Sequence, residues 1–209
     1  MANNMPVAIP GKEPGEVIIP ALGRSFKQIE LREDDIYDTV QRASGSVSAG
    51  TELVMFRDLT DKNAQHTSLK ASRRIPAGDE AAVFRVGVHV RQYLGNDGPQ
   101  TPDFLKLYEN GILELKFNRR QVTEGPLLKY QSGYGFAGNA TGTASNGVPA
   151  ATAAPTLFVP QQLKDDDDIN GKLIFPDAAW ITSYTAPTLA ARNIISVFLH
   201  AVIKSPLGK

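Results

Sequence analysis

The chain has 209 residues, 42% of them hydrophobic and 21% charged, which is enough for one sizeable core. Lys+Arg 22 balances Asp+Glu 22, so no bulk positive field exists to hold nucleic acid through its phosphates, and self-repulsion does little to oppose association. The absence of cysteine excludes disulfides, thiolate metal sites and cysteine nucleophiles.

Residues 1–23 carry Pro6, Pro10, Pro14 and Pro20 with Gly11, Gly15 and Gly23, a density that denies ladder hydrogen bonds and breaks helices. Val7, Ile9, Val17, Ile18, Ile19 and Leu22 give this stretch more apolar content than a linker needs. It reads as an extended arm, mobile in an isolated subunit and ordered against neighbours. No basic stretch precedes an apolar run here, so nothing in it reads as a secretory signal.

Residues 26–31 alternate as a strand would. Residues 32–43 leave two readings open. Glu33, Asp34 and Asp35 suit a helix first turn, with Ile36 and Val40 four apart, and the same residues suit an irregular strand. A short apolar strand is expected at 53–57, after Ala49-Gly50. Another candidate covers 66–75 and is ended by Pro76-Ala77-Gly78.

The clearest pattern lies at 82–93. Phe84, Val86, Val88 and Val90 alternate with Arg85, Gly87, His89 and Arg91, the period of a strand with one buried and one wet face. At ~3.3 Å per residue this strand extends roughly 40 Å, about twice the usual length, and it requires a large second layer. After the loop Gly95-Asn96-Asp97-Gly98-Pro99, Thr101-Pro102-Asp103 supplies an N-cap, a first-turn proline and an acid at the positive helix end. Phe104, Leu107 and Tyr108 are helical neighbours, and Asn110-Gly111 gives a left-handed stop, so a short helix is expected at about 102–110. Leu113, Leu115 and Phe117 then alternate with Glu114 and Lys116 in a second well-patterned strand.

Residues 130–163 hold no charged side chain over 34 positions and are dense in Gly, Ala, Thr, Ser and Pro. They predict a long surface loop whose small neutral residues pack against neighbouring copies. Short strands are expected at 156–159 and at 172–175, the second after Asn170-Gly171. A long strand follows at 194–204, with Ile195, Val197, Leu199, Ala201 and Ile203 on one face. Its apolar run, 194–203, is too short to span a bilayer. With many short strands, one short helix and no long amphipathic helix, the chain reads as all-β: an arm at 1–23, then a single β-sandwich domain at 24–209.

Catalytic signatures are sparse. Gly133-Tyr134-Gly135-Phe136-Ala137-Gly138 matches G-x-G-x-x-G, but residues 139–149 cannot form the helix that a pyrophosphate needs, so it reads as a glycine-rich loop. His66, His89 and His200 lack metal-ligand spacing and read as structural; His89 and His200 could face each other across a sheet. No G-x-S-x-G elbow occurs. In Lys164-Asp165-Asp166-Asp167-Asp168 four adjacent carboxylates repel, which a hard cation such as Ca²⁺ would relieve; the spacing is not that of an EF-hand loop, and a solvated loop tip accounts for it. Asn139-Ala140-Thr141 is a sequon that matters only in a eukaryotic secretory setting. Arg73, Arg74, Arg85, Arg91, Lys116, Arg119 and Arg120 form a loose basic set without interleaved aromatics, a solvated or inter-subunit face. Trp180 near Tyr184 reads as a core plug or, if exposed, as a platform that stacks a sugar. No catalytic, cofactor-binding or metal-ligating residue is assigned, and neither a cofactor nor an enzymatic role is expected.

FRVGVHVRQYLG (84–95), YENGILELKFN (108–118), EGPLLKYQSGYG (124–135) and IISVFLHAVIK (194–204) together resemble coat (capsid) proteins of tailless icosahedral bacteriophages of the jelly-roll kind. The likeness covers 82–136 and the last strand, under half of the chain, and lies in pattern without a diagnostic motif. It implies a jelly-roll β-sandwich that builds an icosahedral shell from many copies through its arm and loops, made in the host cytoplasm and residing in the virion. The arm and the residue after it carry only Lys12 and Arg24 as basic residues, which departs from a genome-condensing arm. The implied partners are therefore other coat subunits, other virion proteins or an internal membrane, with no specific nucleic-acid binding. The alternative from another class is a carbohydrate-binding β-sandwich module using Trp180, Tyr184 or Tyr134.

Overall fold

The computed structural model describes residues 7–8, 16–19, 24–27, 31–43, 48–93, 108–131, 136–138, 144–146, 155–177 and 192–205. In chain order the strands are β1 (Val7–Ala8), β2 (Glu16–Ile19), β3 (Arg24–Lys27), β4 (Leu31–Ala43), β5 (Thr51–Met55), β6 (Glu80–Tyr93), β7 (Ile112–Phe117), β8 (Arg120–Pro126), β9 (Phe136–Gly138), β10 (Ala144–Asn146), β11 (Thr156–Lys164), β12 (Ile169–Phe175) and β13 (Arg192–Lys204). Eight of them make two four-stranded antiparallel sheets, ordered β11-β6-β13-β4 and β5-β12-β7-β8. Along the chain β4, β5, β6 and β7 fall in alternate sheets, β7 and β8 form a hairpin, and β11, β12 and β13 alternate again. Two sheets joined in this order form a β-sandwich of the jelly-roll type.

The inner faces pack on each other because the strand periods agree. Val86, Val88 and Val90 on β6, Leu113, Leu115 and Phe117 on β7, and Ile195, Val197, Leu199, Ala201 and Ile203 on β13 all enter one core cluster. β13 pairs with β4 along its whole length, from Leu31 opposite Lys204 to Ala43 opposite Arg192, and with β6 on its other side. Residues 32–43 are thus a strand, and its irregular look has a cause. The core-facing row of β4 is Arg32, Asp34, Ile36, Asp38 and Val40, and the acids in it serve the sandwich rim and a buried contact described below.

At Phe84 the structure departs from the alternation. His200 stands opposite Arg85 but Ala201 stands opposite Val83, so Phe84 is an extra residue, a β-bulge. The bulge transfers Ala81 and Val83 to the core face and puts Phe84 with Ala82 on the outer one. Nor is the opposite face simply wet, since Ala82, Gly87 and His89 are all buried.

The stretch 66–75 is not a strand. Residues 56–79 form a turn-rich connection with left-handed backbone at Phe56, Asp61 and Arg73, and it drops Phe56, Leu69 and Ile75 into the core. Its apolar residues are plugs, which is why it read as a strand. At the other end of the uncharged segment, β11 runs for nine residues and pairs with β6 through a register shift between Thr156 and Gln161. Tyr130 and Leu163, the two ends of the segment 130–163, are buried in the core, so the expected surface loop does not extend to its ends; residues 132–135, 139–143 and 147–154 lie outside the described residues. Of the helix expected at 102–110, residues 108–110 are helical and 102–107 lie outside the described residues. Tyr108 pins this turn to β6: the Val90 N–H donates to its phenol oxygen at 3.2 Å, and the phenol donates to the Val88 carbonyl at 3.4 Å.

In the N-terminal stretch, β1, β2 and β3 occupy windows free of proline and pair as a separate antiparallel sheet. Val7 stands opposite Ile18, and Val17 stands opposite both Ala8 and Phe26. β9 and β10 pair as a two-stranded ladder inside the β8–β11 connection. Among the described residues neither set joins a sandwich sheet.

Val88→Asp should place an unpaired charge at a position with 0% exposure and lower the unfolding free energy by roughly 4 kcal/mol or more, or prevent soluble expression. The same change at Val159, 59% exposed, should stay within about 0.5 kcal/mol; denaturant titration of both reads the contrast. A Cβ at Gly171 would meet Met55 Cβ and the Phe56 ring, each at 3.0 Å, inside the core. Gly171→Ala should therefore cost about 1–3 kcal/mol through overpacking, read as a lower midpoint at an unchanged denaturant slope.

Candidate functional site

Asp38 lies on the core side of β4 and is fully buried. Its Oδ2 accepts the Phe56 N–H at 2.6 Å, and its Oδ1 accepts the Lys62 ammonium at 2.7 Å, so both oxygens of the buried charge are bonded. Around it the 56–79 connection covers the free edge of β4 at its middle, Tyr37 and Asp38. The Ser68 N–H and the Thr67 hydroxyl donate to the Tyr37 carbonyl, the Tyr37 N–H donates to Ser68 Oγ at 2.9 Å, and the Tyr37 phenol donates to the Ala64 carbonyl. At that point the edge no longer offers free backbone groups for strand pairing.

The acidic run 165–168 is the connection from β11 to β12, and its carboxylates separate to different partners. Asp165 accepts the Gly78 N–H at 2.6 Å, Asp167 accepts the Lys164 N–H at 2.8 Å and the Asn118 side-chain amide, and Asp168 lies 3.6 Å from Arg74. Asn118, left-handed at the two-residue β7–β8 turn, also accepts the Asp168 N–H at 2.8 Å. The carboxylates thus lace three connections together at one end of the sandwich. No group of three or more candidate metal ligands occurs among the described residues.

The two outer faces differ in chemistry. On the β5-β12-β7-β8 sheet, Glu52 holds Lys172 at 2.7 Å, Lys172 stands opposite Glu114 across the ladder, and Glu114 holds Lys116 at 2.7 Å. Glu52, first through its hydrogen bond and then through its charge, raises the Lys172 ammonium above the ordinary lysine range. This alternation of sign satisfies itself and belongs to a solvated face. On the β11-β6-β13-β4 sheet the outer rows mix aromatic, aliphatic and neutral side chains with the charged Glu33, Asp35, Arg85 and Lys204. Tyr37 lies 5.7 Å from Phe198, Phe198 stacks on His200 at 6.5 Å, Asp35 Oδ1 sits 2.6 Å from His200 Nδ1, and Thr39 bonds Ser196 at 2.9 Å. Thr39 and Ser196 are buried, and Leu31, Ala82, Phe84 and Val202 form an apolar cluster of their own.

The residues singled out in the sequence are dispersed. Ser196 stands opposite His89 and Arg85 opposite His200, so the two histidines share a sheet face but lie four positions apart along β13, ~13 Å. His66 is in the 56–79 connection. Arg73 serves as backbone, its N–H donating to the Phe56 carbonyl and its carbonyl accepting the Ile169 N–H. Lys116 is on the outer face of one sheet and Arg85 on the other, while Arg119 and Arg120 are exposed at the β7–β8 turn, so the basic set is not one patch. Trp180, Tyr184 and Tyr134, with the first half of the glycine-rich hexapeptide, lie outside the described residues, and its second half is β9. Asp38, the Asp35–His200 pair and the Leu31–Ala82–Phe84–Val202 cluster went unread in the sequence. For Asp38 a signal existed: an acid two residues after Ile36, in the same inward row of a strand.

No family model matches the chain, and no curated protein matches it. A solved structure that aligns with it is that of infectious bursal disease virus Gt strain. The identity is 14%, 99% of this chain and 42% of that chain are covered, and the TM-score is 0.27. The chain spans less than half the length of that chain, and at this score the likeness carries no argument; the fold stands on the strand order. No helix among the described residues is long and apolar enough to cross a membrane.

Asp38→Ala should cost about 3–5 kcal/mol, because it strands the Lys62 charge and frees the Phe56 N–H inside the sandwich. Glu52→Gln breaks an ion pair of similar length between exposed partners and should cost less than ~1 kcal/mol. Equilibrium denaturation of the two variants measures the contrast.

Proposed function

We propose that the chain is a coat subunit of an icosahedral bacteriophage that self-assembles into a shell through its loops and its N-terminal strands. The observation that carries this reading is the strand order: eight strands in the jelly-roll sequence, with β1–β3 and the β9–β10 ladder attached but joined to neither sandwich sheet. Short sheets of two or three strands gain stability by packing on something else, which suits elements that meet other copies. The jelly roll also occurs in lectins and cupins, so the fold alone does not decide. The reading draws in addition on the zero net charge and on the uncharged stretch 130–163, whose surface can be covered without desolvating an ionic group. The role assigned is structural, in the virion, with other coat subunits as partners.

Electron microscopy and sedimentation of the purified protein test this. Closed particles sedimenting far ahead of a 22.6 kDa subunit are expected, and a single 22.6 kDa species at every concentration would refute the proposal. Shortening residues 139–146 should leave the unfolding midpoint unchanged while lowering particle yield; loss of folding would show instead that this stretch supports the core.

A further inference from the structure

The second apolar cluster is out of place on an outer sheet face. A sheet with one face on a core ordinarily offers charged groups on the other, as the Glu52–Lys172–Glu114–Lys116 ladder does. On the β11-β6-β13-β4 sheet, two local events set a patch of hydrocarbon between the charged Glu33 and Lys204 of the same face. The bulge at Phe84 turns that side chain out beside Ala82, and β4 begins with Leu31 next to the row that contains Val202. Ala82 is fully buried, while Leu31, Phe84 and Val202 stay half-buried, so the cluster is unfinished in the single chain.

Chain connectivity says what lies nearest. β3 ends at Lys27 and β4 begins at Leu31, so three residues tether the β1–β3 sheet to the rim of the cluster. That link spans at most ~14 Å. The register sets Ala8, Val17 and Phe26 side by side across β1, β2 and β3. Strands of two to four residues carrying this much hydrocarbon need an apolar surface to lie on. The cluster remains half open although its own N-terminal sheet is tied beside it, and a hinge this short favours exchange between copies over folding back.

We infer that the β1–β3 sheet of one subunit docks on the Leu31, Ala82, Phe84 and Val202 cluster of a second copy. This rests on the coat reading and names the acceptor surface that the N-terminal strands use. The sequence contains no cysteine, so introduced thiols report without background. Phe26→Cys and Val202→Cys are made as separate single variants, mixed, co-assembled and oxidised. The expected result is a disulfide-linked dimer that joins the two variants in assembled material. A Phe26→Cys/Val202→Cys double variant that yields only an internally linked monomer would overturn the inference, because the sheet would then serve its own chain. Phe84→Ser/Val202→Ser, at half-buried positions, should unfold cooperatively as a monomer and lose at least about tenfold in particle yield. Particles from this folded variant at full yield would also overturn it. Wild-type protein that never assembles would defeat the coat reading itself, whereas wild-type particles without the cross-link would defeat only this inference.

Discussion

The carboxylate of Asp38, midway along β4, enters the sandwich where the chain leaves β5 of the second sheet to return to the first. A lone ionised group there would be costly, and it is tolerated because a backbone N–H and an ammonium meet both of its oxygens. What the arrangement fixes is position. Phe56, in left-handed backbone, is held by its N–H, and its ring then lies over Gly171 on β12, where no side chain could fit beside it. Lys62 draws the following turn inward, and Thr67 and Ser68 cover the edge of β4 at its middle. The crossing between sheets, the core plug on β12 and the protected edge all depend on this contact.

How much of this was legible in the sequence depends on whether a strand's burial came from simple alternation. Val86, Val88 and Val90, and likewise Leu113, Leu115 and Phe117, announce their face because every second residue is apolar and no irregularity intervenes. Phe84 breaks the parity of its own strand, and a bulge has no composition signal unless the partner strand is known. β4 could not be told from a helix because Asp34 and Asp38 occupy its inward row, and the partners of that row lie 18 to 47 residues away, Phe56 and Lys62 for Asp38 and Asp79 for Arg32. The apolar residues of 66–75 were visible, but the turns that let Leu69 and Ile75 reach the core separately were not. β1, β2 and β3 fit between prolines that seemed to forbid a ladder, since proline density over a stretch says little about windows of two to four residues.

The candidate surface was less legible than the fold. Sequence motifs drew attention to the acidic run and to the histidines, and the structure puts most of these groups to internal use, in turns and cross-strand pairs. The outer faces differ for a reason that only register reveals. The same alternation places Glu52, Lys172, Glu114 and Lys116 in neighbouring rows on one sheet, and Tyr37, Phe198 and Val202 together on the other. Read strand by strand, each is an ordinary amphipathic segment. Read across the ladder, one face is a closed ionic network and the other carries an apolar cluster with unfinished contacts among charged neighbours.

β13 lies between β4 and β6 yet follows every other strand in chain order. A chain emerging from the ribosome at roughly 5–20 residues per second therefore carries both neighbours for some time with open edges. The first sheet cannot form by local pairing as translation proceeds; it closes in one late event that joins Leu31 to Lys204 and Tyr93 to Arg192. Chains stopped before residue 192 would retain two unpaired edges and the hydrocarbon of half a core, a state that chaperones and proteases recognise. Because β13 follows both of its partners along the chain, closure of this sheet reports that synthesis has passed residue 204.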